Sequence, residues 1–551
     1  MRILLPFIGL FLLTMDTLYS QSADLAFVNG KIWTVDKSKQ IVQAVAVSGD
    51  RIVAIGTTAQ IKAFIGKGTK VVDLKGKLML PGVIDDHTHF IEGSFQLSYV
   101  DLRKTKTLAE FSSIIEKRAK QSPTQWILGG DWDHENWAGA NLPTKEAIDK
   151  VTPSTPMFVK RYDWHMALVN SYVLKIAGIT KDTPNPPGGT IVKDPATGEP
   201  TGILKDEAMS FVYKLIPDPT EKEMIEAVKL GLAEARKFGV TSINDVSSAA
   251  DVRVYQALKA EGALTARFHC RLPLSQWQHV AATGIKVPFG DEWIRLGSMK
   301  DFVDGSVGST TALFFAPYDS DPSTSGLTMD GFTNGNLEKW ALAADRANLQ
   351  LSIHAIGDKA NSDLLDIFEN IVKANPAWDR RFRIEHAQHI HPKDFARFVK
   401  LGVIASVQPY HAIDDGRWVI KRIGSERCKT TYPFKTFIEQ GVKICFGSDW
   451  TVAPLNPLLG IYAAVTRRTT DGANPNGWYP EQKISVEQAI ECYTINNAYA
   501  QFEENEKGSI TVGKLADLVV LSDDILTIDP IKIETARIEM TVVGGKVVFE
   551  K

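Results

Sequence analysis

In the stretch PGVIDDHTHF, residues 81–90, an apolar, strand-like run ends in two histidines one residue apart. Side chains at positions i and i+2 of an extended strand point to the same face, so His87 and His89 are predicted to converge on one point. Two converging imidazoles are a metal-ligand geometry. An isolated His-x-His pair also occurs on the surface, in polar turns. The rest of the chain decides between these readings.

A rhythm of short apolar strand, polar strand end and helical stretch fills residues 82–505. This alternation is typical of an α/β fold, and eight such strands predict a TIM-like (β/α)8 barrel. Catalytic groups stand at the carboxyl ends of barrel strands, so the long segments around 100–235 are predicted to be insertions over the site. The predicted barrel strands are the His87 segment, 155–165, 239–247, 293–306, 349–358, 382–388, 402–411 and 441–450.

The two ends of the chain have a different, β-like pattern. Hairpin signals such as Asn29-Gly30 and Gly544-Gly545 separate short apolar runs in both. Residues 21–81 and 506–551 are therefore predicted to form one composite β-sandwich domain, built from both termini around the barrel domain 82–505.

Residues 1–20 have the pattern of a signal peptide. Arg2 precedes an apolar stretch, Ile3–Leu13, that is shorter than the roughly 20 residues a membrane-spanning helix needs. Ser20 supplies a small residue before a cut at Gln21. The pattern predicts a periplasmic or secreted protein with no stable membrane span after cleavage, and an uncleaved anchor is the alternative.

Composition narrows the class of partner. Lysine and arginine number 62 against 65 aspartates and glutamates, a net charge of −3 with no long basic run, so nucleic acid is not an expected partner. A small molecule is the expected partner. The four cysteines are scattered without a Cys-x-x-Cys motif, and buried free thiols are a simpler interpretation than disulfides.

Polar residues at the predicted strand ends supply the chemistry. His354 ends the predicted fifth strand, His386 the sixth and Asp449 the eighth, while Lys300 lies in the fourth. Each alone has an ordinary explanation, such as a hydrogen-bonded core histidine or a helix-capping aspartate. Together with the first-strand pair, they form the ligand set expected for catalytic Zn²⁺ or a similar divalent ion.

Several segments of the chain resemble the amidohydrolase superfamily and, within it, the amidohydrolase-3 or YtcJ-like branch, which includes N-substituted formamide deformylases. The resemblance implies one or two divalent ions, with His87 and His89 on one and His354 and His386 on the other. It further implies that Lys300 is carboxylated to a bridging carbamate, and a structural ion pair with a nearby aspartate is the alternative. The segments that carry it are LPGVIDDHTHF, PTGILKDEA, MKDFVDGSVGSTTA, IHAIGDKA, FRIEHAQ, QPYHAIDDGRW and FGSDWTVAPLNP.

The mechanism expected of such a centre is amide hydrolysis. A metal lowers the pKa of bound water from about 15.7 to about 7, which supplies hydroxide at neutral pH. The expected reaction is therefore hydrolysis of a non-peptide C–N bond in an N-acyl or N-formyl amide of a small molecule. Asp449 is both a candidate ligand and the candidate that moves the proton from water to the leaving nitrogen. His165 is a candidate oxyanion partner, with a core role equally open.

Other functions fit the same residues. An esterase, a lactonase or a deaminase would use the same centre, since the fold does not choose the leaving group. A non-catalytic binding protein is a third reading, against which the complete ligand set counts. A homodimer is a candidate assembly. An apolar substrate pocket is expected from the aromatic residues near the insertion, although packing is the alternative for these: Trp126, Trp132, Trp137, Tyr162 and Trp164.

Overall fold

The structure is a computed structural model, and it describes residues 22–551 except 123–124, 133, 135–136, 138, 140, 162–165, 187–188 and 309. The predicted signal peptide, residues 1–20, lies outside the described residues. So does His165, the candidate oxyanion partner, together with Tyr162 and Trp164.

Eight parallel strands form a nearly closed barrel, which confirms the predicted fold class. A short strand, β17 (Phe289–Gly290), pairs antiparallel with the fourth barrel strand. The barrel strands are β8 (Val83–Thr88), β15 (Val240–Val246), β16 (Arg267–Pro273), β18 (Ile294–Phe302), β19 (Gln350–Ala355), β20 (Arg383–His386), β21 (Ile404–Val407) and β22 (Ile444–Phe446).

Backbone hydrogen bonds join the first and the last barrel strand at their carboxyl ends. The amide of Asp449 donates to the carbonyl of His87 at 2.7 Å, and the amide of His89 donates to the carbonyl of Trp450 at 2.7 Å. Thr88 and Trp450 form a parallel bridge at the same place. This closure brings two segments more than 350 residues apart to one point of the rim.

One predicted barrel strand is wrong. The segment predicted at 155–165 forms β11 (Phe158–Arg161), which lies in a separate sheet and not in the barrel. The strand that sequence reasoning missed is β16, in which Arg267, His269 and Arg271 alternate with apolar residues. All three polar side chains are buried. A run of charged residues does not read as a buried strand, because burial of charge requires partners that lie elsewhere in the chain.

The insertion after the first barrel strand builds its own six-stranded sheet. Its core holds Trp132 and Trp137, whose indole N–H groups donate to the carbonyls of Val159 at 3.0 Å and Thr105 at 3.1 Å. These two tryptophans therefore pack the insertion and do not line a pocket. The strands are β9 (Val100–Asp101), β10 (Gly129–Trp132), β11, β12 (Met166–Val169), β13 (Gly189–Lys193) and β14 (Pro200–Asp206).

Two further sheets form the predicted sandwich from both ends of the chain. Leu80 of the amino-terminal part pairs with Val519 of the carboxyl-terminal part in an antiparallel ladder. The core between the sheets mixes both parts, as with Phe27, Met79 and Leu518. The strands are β1 (Leu25–Val28), β2 (Lys31–Trp33), β3 (Ile41–Val42), β4 (Ala44–Ser48), β5 (Arg51–Gly56), β6 (Lys70–Asp73), β7 (Leu78–Pro81), β23 (Leu518–Leu521), β24 (Ile538–Val543) and β25 (Lys546–Glu550).

Helices pack against the barrel strands, the terminal sheets and the insertion. A capping box at Thr220 and Glu223 starts α7, one of the longest. Within the described part of the chain, no helix combines the length and the apolar character needed to cross a membrane. The helices are α1 (Thr58–Ile61), α2 (Phe90–Ser98), α3 (Leu108–Gln121), α4 (Glu146–Asp149), α5 (Ser171–Ile176), α6 (Ser210–Tyr213), α7 (Glu221–Lys237), α8 (Ala249–Ala260), α9 (Trp277–Ala282), α10 (Asp330–Thr333), α11 (Asn336–Arg346), α12 (Asp358–Ala374), α13 (Phe395–Leu401), α14 (Pro409–Asp415), α15 (Val419–Cys428), α16 (Phe434–Gln440), α17 (Pro457–Thr466), α18 (Val486–Tyr493) and α19 (Ile495–Ala500).

The cysteines are free and buried, as their spacing predicts. No two of them form a disulfide, and each lies in the interior: Cys270, Cys428, Cys445 and Cys492.

Candidate metal centre

The first-strand histidines converge on one carboxylate. The Nε2 atoms of His87 and His89 lie 3.7 Å and 3.5 Å from the same Oδ1 of Asp449. His87 is fully buried, whereas a third of the His89 side chain is exposed. One donor atom from each of the three residues lies within 4.8 Å of the others, close enough for a single ion.

Tight backbone packing holds Asp449 in this position. A Cβ at Gly447 would lie 2.5 Å from the amide nitrogen of His87, so the eighth strand reaches the first only because this residue has no side chain. Asp449 itself has φ +57°, in the left-handed region that non-glycine residues rarely adopt. Such a conformation costs about 1–3 kcal/mol and is found mostly at functional sites.

A second group of histidines lies beside the first. The ring centroids of His386 are 5.0 Å from His87 and 4.4 Å from His354. Hydrogen bonds orient both rings: Nδ1 of His386 contacts Oε1 of Gln408 at 2.8 Å, and Nε2 of His354 contacts the carbonyl of Gly305 at 3.1 Å. Since these oxygens accept, each ring keeps its other nitrogen as an acceptor, Nε2 in His386 and Nδ1 in His354.

His411, which is not in the ligand set predicted from the sequence, completes this second group. It lies in the first turn of α14, and one of its ring nitrogens is within 4.8 Å of donor atoms of His386 and Asp449. Its Nε2 is buried, and the described part of the chain offers it no hydrogen-bond partner. The only signal in the sequence is its place after the seventh strand, in QPYH.

Lys300 is buried beside these groups. Its Nζ lies 3.5 Å from the ring centroid of Phe302 and 3.4 Å from the carbonyl of Asp301. Its charge disfavours protonation of His89 and His354. Burial lowers the pKa of Lys300 to about 7, although the carboxylates of Glu385 and Asp449 favour its charged form.

An ion-pair network supports the centre from below. Oε2 of Glu385 accepts from Nδ1 of His87 at 2.5 Å and lies 2.8 Å from Arg271. Its other oxygen pairs with Arg383 at 3.0 Å, and Arg383 also binds Asp86 at 2.8 Å. The side chains of Glu385, both arginines and Asp86 are fully buried. The network fixes the tautomer in which Nδ1 of His87 carries the proton and Nε2, on the side of Asp449, keeps a lone pair that a metal could bind.

Glu385 could have been found from the sequence. In the segment FRIEH, alternation along a strand places Arg383 and Glu385 on the same face. His386 follows directly and would point away, but its φ of +73° turns it back toward the rim. Arg271 could not be inferred, because it lies in the strand that was missed.

The electrostatics keep the imidazoles neutral and Glu385 charged. Burial lowers the pKa of His89 to about 4 and that of His354 to about 3. Burial would raise the pKa of Glu385, but Arg271 and Arg383 outweigh it and hold that pKa well below its usual range. Burial raises the pKa of Asp449 to about 7, against the opposing charge of Lys300. Neutral imidazole is the form that binds metal.

Comparisons with known proteins agree with this architecture. The amidohydrolase family profile matches residues 70–549. The chain is 38% identical over 543 residues to LONG AFTER FAR-RED 3 of Arabidopsis thaliana, covering 96% of this chain and 92% of that protein. It is 32% identical to YtcJ of Bacillus subtilis (strain 168), covering 95% and 98% of the two chains, and 27% identical to an N-substituted formamide deformylase of Arthrobacter pascens, covering 97% and 99%.

The chain belongs to the amidohydrolase family. This confirms the resemblance seen in the sequence. Among solved structures, this amidohydrolase is similar to uncharacterized metal-dependent hydrolases from two Pyrococcus species. The Pyrococcus furiosus protein has a TM-score of 0.76 at 28% identity, covering 91% of this chain and all of that one. The Pyrococcus horikoshii protein has a TM-score of 0.77 at 27% identity, covering 92% and 99%.

The residues of this amidohydrolase fit a divalent metal. Two three-residue groups, which share Asp449, each bring neutral imidazole and carboxylate donors together. These are the donor types that zinc and similar ions prefer. The unpartnered, buried Nε2 of His411 is the kind of orphaned acceptor that a ligand would satisfy. The part assigned to each residue, including Lys300 and His165, stays a prediction.

A cavity of about 530 Å³ opens beside His89. One wall belongs to the barrel, with Phe95 of α2 and the segment Thr451–Val452 after the eighth strand. The opposite wall belongs to the insertion, with Phe158 of β11 and Tyr213 of α6. The volume lies in the range of about 300–1,000 Å³ that is typical of small-molecule sites.

Proposed function

We propose that this amidohydrolase hydrolyses a non-peptide C–N bond, in an N-acyl or N-formyl amide of a small molecule. The observation that carries the proposal is the convergence of His87, His89 and His386 on Asp449 at one rim. The relative from Arthrobacter pascens is by name a deformylase of N-substituted formamides, which supports the same type of bond.

The proposed cofactor is Zn²⁺, with one or two ions per chain. His87, His89 and Asp449 would hold one ion. His354 and His386 would hold the other, with His411 next to them. When bound, such an ion polarises the substrate carbonyl and lowers the pKa of water.

Asp449 is the proposed proton carrier. Hydrolysis of an amide needs a proton removed from the attacking water and a proton delivered to the leaving nitrogen. The carboxylate accepts the first proton as the new C–O bond forms. It returns that proton to nitrogen as the C–N bond breaks and its electron pair stays on nitrogen. Its position 3.5 Å from His89 supports this role, since the reacting carbonyl must lie between the ligands and the cavity.

Lys300 is proposed to carry a carbamate. The ammonium first loses one proton; the neutral amine then adds to carbon dioxide, an Nζ–C bond forms as one C=O electron pair moves onto oxygen, and a second proton leaves nitrogen, so that a cation becomes an anion. The supporting observation is geometric: Lys300 is buried, and its Nζ lies 3.5 Å from the ring centroid of Phe302, which is itself 5.1 Å from the ring centroid of the candidate ligand His354. An ion pair with Asp301 is the alternative.

Metal analysis together with a substrate panel tests the proposal. We expect one or two zinc-like ions per purified chain, turnover of N-formyl or N-acyl amines, loss of turnover on chelation and its return with Zn²⁺. Matched esters and lactones in the panel test the alternative leaving group. Turnover of esters without amides would overturn the amide assignment. Metal uptake and ligand binding without any turnover would favour a binding protein.

Export of the mature chain is proposed from sequence alone. The support is the short apolar stretch Ile3–Leu13 between Arg2 and Ser20. Expression of the full chain in a bacterial host, followed by mass spectrometry of the periplasmic fraction, should give a protein that begins at Gln21. A cytoplasmic protein with an intact amino terminus would contradict the proposal.

A further inference from the structure

The cavity beside His89 has a composition that selects among amides. Two aromatic pairs line it: Phe95 and Tyr99 stack at 6.0 Å on the barrel side, and Phe158 and Tyr213 contact at 5.1 Å on the insertion side. Leu128, Ile216 and Val452 complete the apolar surface. A mostly apolar wall of this size fits an aryl or alkyl group.

The charged groups in the wall disfavour an anion. Lys160 and Asp131 lie on the neighbouring strands β11 and β10; burial lowers the pKa of Lys160, and the Asp131 carboxylate opposes this by favouring the charged form of Lys160. These two charges offset each other. Glu92 remains as a further carboxyl in the wall. A substrate carboxylate placed here would meet a like charge in a partly desolvated site.

The position of the cavity tells which half of an amide it receives. It begins at His89, whose Nε2 is 3.5 Å from Asp449, and continues along Thr451 and Val452 just after Asp449. If Asp449 protonates the leaving nitrogen, that nitrogen lies at the entrance of the cavity. The group attached to nitrogen then extends into the cavity, and the acyl carbon stays over the histidines.

We propose that the cavity binds the apolar substituent on the amide nitrogen. The substrates are then N-formyl or N-acyl derivatives of amines whose apolar substituent carries no carboxylate, and not N-formyl or N-acyl amino acids. This inference rests on the proposed function. It makes the insertion, through Phe158, Tyr213 and Ile216, the part of the chain that determines substrate specificity.

A matched substrate pair tests the charge rule. N-formyl-2-phenylethylamine and N-formylphenylalanine differ by a single carboxylate. We expect kcat/KM for the first to exceed that for the second by about 100-fold, the upper range for discrimination by one small group in a pocket. Glu92→Gln should narrow the ratio, because it removes the like charge without changing the shape. Equal turnover of the two, or a preference for the carboxylate, would overturn the inference.

A bulky substitution that narrows the cavity tests whether the N-substituent of the substrate binds there. Ile216→Trp should lower kcat/KM for the phenylethyl substrate at least 10-fold, and a far-ultraviolet circular dichroism spectrum that matches that of the unchanged protein shows that the variant folds. The control is Ile176→Trp on α5, which is outside the cavity wall and exposed. If both variants affect the phenylethyl substrate equally, the cavity is not its site.

A binding measurement separates this inference from the proposed function. Calorimetry on the metal-loaded protein measures the affinity of the cavity for 2-phenylethylamine, the expected amine product, without any reaction. Binding that Ile216→Trp weakens and Ile176→Trp preserves supports the cavity even if no amide is hydrolysed. Amide turnover with no such binding, and with no effect of Ile216→Trp, would reject the cavity and leave the proposed function standing.

Discussion

The barrel rim and the insertion wall both border the cavity beside His89, but they differ in side-chain character. Buried charged and polar groups form the rim, and mostly apolar groups form the wall. At the rim, His87, Glu385 and Arg271 are fully buried and each is held by a charged or strongly hydrogen-bonded partner. In the wall, Phe158, Tyr213 and Ile216 present apolar side chains. Under the proposed function, the reactive groups come from the ends of barrel strands, and the shape that would select a substrate comes from elements outside the barrel. Changes on the two sides should therefore have separable effects.

The largest effect should come from the rim carboxylate. Asp449→Asn keeps the shape but removes the proposed proton carrier, so kcat/KM should fall by about 10²–10⁴-fold for amide substrates. Steady-state kinetics on the panel of N-formyl amines measures the loss. Parallel metal analysis shows how much of it reflects lost ligation. Near-normal turnover in this variant would contradict the proposal that Asp449 takes part in the reaction at the barrel rim.

Removing the charge below the rim should mainly affect stability. Glu385→Gln leaves Arg271 and Arg383 buried without their shared carboxylate, which should lower the free energy of unfolding by about 3–5 kcal/mol. Metal affinity should also fall by about 10–100-fold, because His87 loses the group that orients it. Urea denaturation measures the free energy of unfolding, and metal titration measures the metal affinity. The matched control, Glu116→Gln on an exposed helix pair with Lys120, should cost less than about 1 kcal/mol.

A variant of His411 tests whether this residue belongs to the metal centre. If its unpartnered Nε2 faces the second ion, His411→Ala should weaken binding of that ion by about 10-fold or more, the lower end of the loss seen when a supporting group is removed. Titration with Co²⁺, followed by its visible absorption, measures each site. His279→Ala on the exposed face of α9 is the control. Unchanged affinity at both sites would place His411 outside the centre.

The smallest effect should come from the core of the insertion. Trp132→Phe removes the hydrogen bond to the carbonyl of Val159, which should lower the free energy of unfolding by about 1 kcal/mol and more if a void remains. Metal content should stay that of the unchanged protein, because Trp132 contacts none of the candidate ligands. A loss of metal in this variant would mean that the metal centre at the barrel rim depends on the packing of the insertion.

Much of the architecture could be predicted from local patterns. The His-x-His pair, the polar strand ends and the hairpin signals at both termini follow from periodicity and turn chemistry, which act over a few residues. The strand Arg267–Pro273 escaped prediction because its buried arginines are stable only with Asp517 and Glu385, which lie far away in the chain. The segment 155–165 was misplaced because an apolar strand looks the same in a barrel and in an inserted sheet.

The sequence by itself determined which side chains stand at the strand ends and which faces they share, since alternation along a strand is a local property of the backbone. Only the tertiary structure decided which of these ends meet. It joined His87 to Glu385 across 298 positions, turned His386 and Asp449 inward through left-handed backbone conformations, and set His411 beside both. It also built the cavity from segments that share no pattern. Contacts between distant segments depend on chain closure and packing, which no short window of sequence contains.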